Sequence, residues 1–372
     1  MVTNRQCVGY LLTPLLVVIS YCGAISAMSP HIFSILLRLF NQFAQPVLFL
    51  WLCMGLLVLI FGLAREAIRP AKRSLGIYFA DLFKTALRPS VQIICLIPPL
   101  TLALLFAGYS TFKQIVIPTS DYWAGPYLAS VEYTMLFHHH AWEITHGILP
   151  VAAGYWLDQI YQLWFVLVVT SVLACSYLSG DPLHRCRFVL CFSSTWIITG
   201  TVLAYLIPAS GPVYFGDFQT VTDPFLTLKA QLAADDLALR QSYGTGLQAL
   251  KGQAMLLEQL KTHNIFPGGG ISAMPSMHNA VSVLLACAAY SINRWFGWIM
   301  ILFATLIFVG SVHLGWHYAL DGVVAAAISI GIWLSSNRII ERYERRIARR
   351  RTRASGGRRR TDKQYIPEPI SA

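Results

Sequence analysis

The chain has 372 residues, of which 56% are apolar and only 12% are charged. Soluble domains carry about 25% charged residues, so this composition excludes a soluble protein and indicates a polytopic membrane protein; the mean hydropathy is +0.56. The net charge of +11 does not indicate a nucleic-acid partner, because the basic residues are concentrated in a few short segments.

Eight apolar stretches approach the length of about 20 residues that a helix needs to cross a bilayer. They lie at 9–28, 46–64, 89–109, 159–179, 189–208, 276–291, 296–314 and 317–335. We interpret the first as a retained anchor, because no small-residue cleavage site follows it. The predicted fold class is all-α: a polytopic transmembrane helical bundle of about eight spans with a helical outer loop.

Basic residues predict the orientation of these spans, since Lys and Arg accumulate on the cytoplasmic side. They cluster in the tail from Arg338 to Lys363, in the segment 65–88, near Arg185 and Arg187, and at Arg294. Eight spans place these four segments on one side together with the N-terminus. Both termini are therefore predicted to be cytoplasmic, and the loops near 29–45, 110–158, 209–275 and 312–317 are predicted to face outward.

The loop 209–275 is long enough to hold structure of its own. Leucines recur at helical spacing from Thr227 to Lys261, and Gly244 and Gly246 are expected to divide this stretch into two helices. Such a hairpin would cap a site or lie in the headgroup layer; the alternative is a surface excursion without a chemical role. Tyr and Trp residues place the preceding segment, 111–158, at the membrane interface.

The predicted organisation follows from these patterns. Residues 1–110 form accessory N-terminal helices, 111–158 an outer interfacial segment, 159–337 the core with its cap 209–275, and 338–372 a basic cytoplasmic tail without fixed structure. The segment 141–157 is a candidate partial or re-entrant span of the core.

Neither cysteine nor histidine spacing predicts a metal or cofactor. Most of the eight cysteines lie inside apolar spans and none lies in the long outer loops, so no disulfide framework is indicated. His138, His139 and His140 with Glu143 and His146 resemble a metal cluster in composition only. An interfacial polar stretch is the favoured interpretation, with headgroup contact as the alternative.

His317 and Asp321 stand at the start of the last span, and His278 stands at the start of the sixth. Titratable groups are costly in a bilayer, so they indicate a functional site by default. Positions i and i+4 share a helix face, so Asp321 is expected to reach one ring nitrogen of His317 and to leave the other free as a nucleophile. The alternative is a set of satisfied buried histidines with a helix-capping aspartate.

These residues carry a family resemblance. Pro275-Ser276-Met277-His278 followed by His317-Tyr318-Ala319-Leu320-Asp321 resembles the second and third motifs of the type 2 phosphatidic acid phosphatase superfamily. More narrowly, the pattern is similar to the branch that contains inositol phosphorylceramide synthases. Less specific landmarks of that branch appear at Asp158–Tyr161 and at Tyr205–Pro208 before Gly211-Pro212. The resemblance covers roughly residues 140 to 335.

The resemblance implies roles for the three residues. His317 would form a phosphohistidine, Asp321 would orient its ring, and His278 would protonate the leaving group and later activate the acceptor; no metal is implied. Ser276, Tyr214 and His313 are candidate substrate-binding residues, although packing is the favoured alternative for His313 and remains open for Tyr214.

The superfamily's usual phosphate-binding Arg and Lys are missing from their motif positions. At 310–312 the chain has Gly-Ser-Val instead of the third-motif Arg. Helix N-termini bind anions, so Ser276 and the backbone N–H groups that follow it are possible substitutes. Cations of the predicted outer loops are further candidates, without a basis for choosing among them: Lys113, Lys229, Arg240, Lys251 and Lys261.

The function predicted is an integral membrane lipid phosphotransferase that moves a phospho-headgroup from a donor lipid to an alcohol acceptor at the outer face, whether periplasmic, extracellular or lumenal. The close alternative is a lipid phosphate phosphatase, for which water is the acceptor. A proton-coupled transporter is a third reading, disfavoured because no internal repeat is evident and the titratable residues lie near one face. The expected partners are a lipid phosphate or phospholipid, the acceptor and membrane lipids.

Overall fold

The computed structural model describes residues 4–68, 74–177, 182–338 and 341, and the regular elements in these ranges are helices. The first seven α-helices are α1 (Asn4–Ser26), α2 (Pro30–Ile68), α3 (Leu75–Ala86), α4 (Pro89–Ile115), α5 (Gly125–Met135), α6 (Ala141–Ile148) and α7 (Val151–Tyr177). The predicted all-α class is confirmed. The predicted basic tail lies outside the described residues except for Arg338 and Glu341.

The second half of the chain holds six further long helices. They are α8 (Pro182–Ile197), α9 (Leu226–Tyr243), α10 (Gln248–Thr262), α11 (Met277–Ile292), α12 (Arg294–His313) and α13 (Ala319–Arg338). A π-helical segment, Ile198–Leu203, and a final turn, Ala204–Leu206, extend α8.

Among the described residues, six helices are long and apolar enough to cross a membrane: α2, α4, α7, α8, α12 and α13. The apolar parts of α1 and α11 are shorter, at Leu11–Ser26 and Met277–Ile292. Each predicted apolar stretch therefore coincides, over its described residues, with one of these helices, and the polytopic helical bundle is confirmed, although the apolar parts of α1 and α11 are shorter than a span.

Two predicted boundaries are wrong. The predicted loop 29–45 is helical. The helix α2 begins at Pro30, passes through Pro46 and ends at Ile68, a length of 39 residues. The polar residues of this stretch include Arg and Gln, which favour helix. The candidate re-entrant segment 141–157 consists of α6 and the first turns of α7. Asp158 therefore lies well inside α7, not at its start.

The helices α9 and α10, called the helical hairpin here, have the predicted arrangement. Gly244 ends α9 in the left-handed region (φ 71°), which glycine adopts without a steric penalty. Asp158 fixes the hairpin to α7, because its carboxylate accepts from the backbone N–H groups of Gln248 (2.6 Å) and Ala249 (3.0 Å) at the start of α10. The Gln253 amide donates to the carbonyl of Leu314 (2.8 Å), so the hairpin also contacts the connection between α12 and α13.

Close approach of α11, α12 and α13 places the two histidine motifs together. A Cβ atom at Gly322 would lie 2.5 Å from the Phe308 ring and 3.1 Å from the Asn279 side chain, so only glycine permits this spacing. The backbone N–H of Ser276 also donates to the carbonyl of Asp321 (3.2 Å). The starts of α11 and α13 are therefore joined directly.

Candidate active site

Ser276 begins α11 as its N-cap residue. Its hydroxyl oxygen accepts from the backbone N–H of Asn279 (3.4 Å) and from the Asn279 side-chain amide (3.0 Å), which also donates to Ser311 (3.2 Å). N-capping satisfies a backbone donor that the first helical turn leaves free. Ser276 is fully buried. The contacts of its hydroxyl stabilise the start of α11, and its predicted contact with a phosphate stays a prediction.

His317 lies just before α13, so the predicted shared helix face is wrong although the predicted contact is present. The helix α12 ends at His313, and Gly315, with a left-handed backbone (φ 74°), turns the chain before α13 begins at Ala319. Asp321 stands in the first turn of α13 and accepts from the backbone N–H of Tyr318 (3.0 Å). That helix-start geometry brings the carboxylate to His317.

The contacts of His317 define its tautomer. Its Nδ1 atom lies 2.9 Å from the carbonyl oxygen of Ala273 and 3.3 Å from Oδ2 of Asp321. Both partners are acceptors, so Nδ1 is the donor, and in the neutral tautomer with this contact the lone pair is on Nε2. The ring is 6% exposed and the Asp321 carboxylate is fully buried. The pair presents an imidazole whose orientation is fixed through Nδ1.

His278 faces the same space from the start of α11. Its ring packs against Tyr161 and Trp164, with centroids 4.2 Å away in each case, and lies 6.0 Å from the ring of His317. The Trp164 indole N–H donates to the backbone carbonyl of His278 (3.1 Å). The Nε2 atom of His278 is buried and has no hydrogen-bond partner in the described part of the chain. The structure thus brings the three predicted catalytic residues together.

Glu132 is a buried residue of this region that the sequence did not single out. Its Oε1 atom accepts from the backbone N–H of Ala319 (2.6 Å), and Oε2 accepts from that of Ala141 (3.3 Å). His140 Nδ1 lies 3.6 Å from Oε2. One carboxylate therefore caps the starts of α6 and α13. In the sequence it is one acid in an aromatic segment, with no motif to mark it.

We expect Glu132→Ala to lower the free energy of unfolding by roughly 2 kcal/mol and to reduce turnover, because two helix starts lose their acceptor. Glu132→Gln should lose less, since the amide oxygen still accepts one of the two bonds. The thermal midpoint in detergent and the initial rate measure both effects. Glu258→Ala, at an exposed position of α10, is the matched control. Equal midpoints for Glu132→Ala and Glu258→Ala would contradict the capping role.

The remaining predicted substrate-binding residues, His313 and Tyr214, make contacts within the protein. His313 stacks on His146 (centroids 3.9 Å apart), and its Nδ1 lies 3.3 Å from the Thr145 hydroxyl, which fits the packing alternative. The Tyr214 hydroxyl donates to the carbonyl of Gln253 (3.1 Å). Burial raises the pKa of Tyr214, so this donor keeps its proton. Both side chains hold neighbouring elements together.

The histidine-rich segment is divided among different partners. His139 Nδ1 lies 3.4 Å from Glu143 Oε2, whereas His146 Nε2 lies 3.5 Å from Oδ2 of Asp235 on the hairpin. Within the described ranges, no group of three or more His, Cys, Asp or Glu side chains is arranged to hold a metal ion. The contact between His146 and Asp235 instead ties α6 to α9.

Residues 126–335 match the sequence model of the PAP2 superfamily. The chain belongs to the PAP2 superfamily. No curated protein and no solved structure matches the chain. Membership supports, in general terms, a membrane enzyme of the lipid phosphatase and phosphotransferase type, and it confirms the superfamily resemblance carried by the two motifs.

The PAP2 match begins before Glu132 and ends with α13, so it contains both histidine motifs and excludes α1 to α4. Among the cations considered above, Lys229 pairs with Asp223 (3.1 Å) and Arg240 with Asp236 (2.7 Å). The Nζ atom of Lys113, at the end of α4, lies 5.8 Å from the centroid of the Tyr109 ring. Lys113 lies outside the matched region.

Proposed function

We propose that this PAP2 protein is a lipid phosphotransferase similar to inositol phosphorylceramide synthase, which moves a phospho-headgroup from a donor lipid to an alcohol acceptor. The observation that carries the proposal is the state of His317. Two acceptors, Ala273 O and Asp321 Oδ2, contact its Nδ1, so the neutral ring that donates to them has its lone pair on Nε2, the atom proposed to attack. The second histidine, His278, stands 6.0 Å away, measured between ring centroids.

The proposed reaction has two displacements at phosphorus. In the first, Nε2 of His317 attacks, the bond from phosphorus to the donor's leaving oxygen breaks, and His278 gives its Nε2 proton to that oxygen. The Asp321 carboxylate stabilises the positive charge on the phosphorylated ring. In the second, His278 takes a proton from the acceptor hydroxyl, whose oxygen attacks phosphorus and releases His317. No step in this scheme uses a metal ion.

A lipid phosphate phosphatase is the second candidate, and membership of the PAP2 superfamily favours it. The first displacement would be the same, and water would replace the alcohol in the second. The two functions share every residue described above. They differ in what reaches the phosphohistidine.

We also propose the domain organisation and orientation predicted from the sequence. Residues 1–110 are accessory helices, 159–337 hold the chemistry, and the hairpin within 209–275 covers the site. The site faces outward and both termini are cytoplasmic. Two observations support this orientation. The starts of α11 and α13 meet at one end of the bundle, where the backbone N–H of Ser276 donates to the carbonyl of Asp321. The basic stretch of the sequence comes after the opposite end of α13, and basic residues accumulate on the cytoplasmic side.

A product analysis distinguishes the two candidates. The full-length protein, purified in detergent, is incubated with phospholipids of defined headgroup and with a lipid phosphate monoester, each with and without an alcohol acceptor. Mass spectrometry should reveal a new phospholipid that appears only with the acceptor, together with the dephosphorylated donor. Release of free phosphate without acceptor dependence would instead identify a phosphatase. If neither product forms above the level of a His317→Ala control, both candidates are wrong.

We expect His278→Ala to slow turnover of a lipid substrate by about 10²–10⁴-fold, because the leaving alkoxide then departs without a proton donor. A nitrophenyl phosphodiester or monoester should be affected much less, since its acidic leaving group needs little protonation. Initial rates of wild type and variant on both substrates measure the difference. Equal losses on the two substrates would contradict the role of His278 as the acid.

A further inference from the structure

Several polar atoms around the two histidines are buried without a hydrogen-bond partner in the described part of the chain. They belong to His278 itself, to Tyr161, which stacks on it, and to Trp316, Tyr318 and Asp321, which adjoin or contact His317. Buried polar groups in native proteins are nearly always hydrogen-bonded, so each orphan calls for an explanation. A group of them beside one site is expected where a polar ligand supplies the missing bonds.

Two of these residues adjoin the histidines, Tyr161 by stacking and Trp316 by its place in the chain. Tyr161, on α7, stacks on His278 with centroids 4.2 Å apart and an interplanar angle of 23°. Its ring is also parallel to that of Trp316, at 6.4 Å and 3°. Trp316 directly precedes His317 in the chain. A phenol O–H and an indole N–H, both donors without a partner in the described part of the chain, therefore belong to residues that adjoin the two histidines.

The stacking keeps the Tyr161 ring beside His278, and the Tyr161 hydroxyl is buried without a partner in the described part of the chain. The residue is 2% exposed, so water does not compete freely for its hydroxyl. Preorganised donors in a dry site stabilise developing negative charge strongly. Such donors are needed here, because the third-motif Arg is absent from 310–312.

We propose that the Tyr161 hydroxyl and the Trp316 indole N–H bind the non-bridging oxygens of the phosphoryl group while it is transferred to and from His317. The ligand of this subsite is a tetrahedral phosphorus oxyanion. Two neutral donors thereby stabilise part of the negative charge that the missing third-motif Arg would stabilise. The inference rests on the proposed function and names the residues that recognise its reacting group.

Tyr161→Phe keeps the stacked ring and removes only the hydroxyl; Trp316→Phe keeps an aromatic ring and removes the N–H. We expect each change to lower kcat by about 10²-fold with little change in KM, because the donors act on the transition state. Binding of inorganic vanadate, which mimics the five-coordinate transition state, should weaken by a similar factor. The inhibition constant of vanadate measures this weakening in the rate assay. The shift in thermal midpoint caused by vanadate measures the same binding without turnover.

Tyr155→Phe on the same helix and Trp298→Phe on α12 are the matched controls, and both should behave as wild type. Unchanged kcat and vanadate affinity in Tyr161→Phe and Trp316→Phe would overturn the proposal. So would a loss of kcat with unchanged vanadate affinity, which would assign the two residues to positioning Asp321 and His278. If the wild type neither turns over a phospholipid nor binds vanadate, the proposed function itself fails.

Discussion

His317→Ala is expected to abolish turnover, with a loss on the order of 10⁶-fold, the scale seen when the nucleophile of a covalent mechanism is removed. The physical reason is that the variant lacks the imidazole that the proposed mechanism uses as its nucleophile. The fold should survive, because among the described residues the ring is hydrogen-bonded through Nδ1 alone, to Ala273 and Asp321. Initial rates on the lipid substrate and the thermal midpoint in detergent measure activity and folding separately.

The matched control for this change is His139→Ala, since the His139 side chain is 65% exposed and contacts only Glu143 among the residues discussed. It should retain wild-type turnover. A covalent intermediate gives a second readout: rapid quenching with phosphate-labelled donor should leave label on the wild type and on His139→Ala, and none on His317→Ala. Substantial turnover by a folded His317→Ala protein would contradict the phosphohistidine mechanism.

The spacing of His317 and Asp321 predicted their contact but not its geometry. Residues i and i+4 were assumed to share a helix, which is the simplest way for such a pair to meet. In the structure, Gly315 turns the chain first, so His317 lies before α13 and Asp321 reaches back to it from the first turn. An apolar run reads the same whether or not it is interrupted by a left-handed residue, so hydropathy alone does not locate that turn.

The helices were the most predictable part of the fold, because long apolar runs mark them directly. The two hairpin helices were also predicted, from leucine spacing and the breaks at Gly244 and Gly246. The contacts that join elements were not. Glu132 reaches Ala319 across 187 residues and Asp158 reaches Gln248 across 90. A single sequence carries no signal for such pairs.

For the polar residues, too, roles that follow from local rules could be predicted, whereas roles that depend on contacts between elements could not. Ser276 stands before an apolar helix, and its placement as an N-cap follows from local rules. Its predicted phosphate contact depended on which way the hydroxyl faces, and in the structure the oxygen accepts from Asn279. In the sequence, Tyr161 is marked only by the family resemblance. Its stacking on His278 depends on how α7 packs against α11, which a single sequence does not give.

Asp321→Asn is expected to lower kcat by about 10⁴-fold, the scale of changing the orienting acid of a catalytic triad to its amide. The fold should persist, because the asparagine oxygen can still accept from the backbone N–H of Tyr318, as Oδ2 of Asp321 does now (3.0 Å). What is lost is the negative charge that stabilises the phosphorylated imidazolium. The Ala273 carbonyl, 2.9 Å from Nδ1, still favours the productive tautomer, so His317 should be labelled by donor, but slowly.

Because Asp321→Asn removes the charge but leaves the orienting carbonyl of Ala273, the rate of labelling of His317 is the quantity to measure. Single-turnover labelling of His317 should slow in Asp321→Asn by nearly the same factor as kcat, because the charge acts on the transition state of the first displacement. The thermal midpoint should stay close to that of the wild type. Asp236→Asn is the matched control, since Asp236 pairs with Arg240 on the hairpin (2.7 Å), away from the histidines, and should keep normal labelling. Wild-type labelling rates in Asp321→Asn would remove the carboxylate from the mechanism and leave Ala273 as the group that orients the nucleophile.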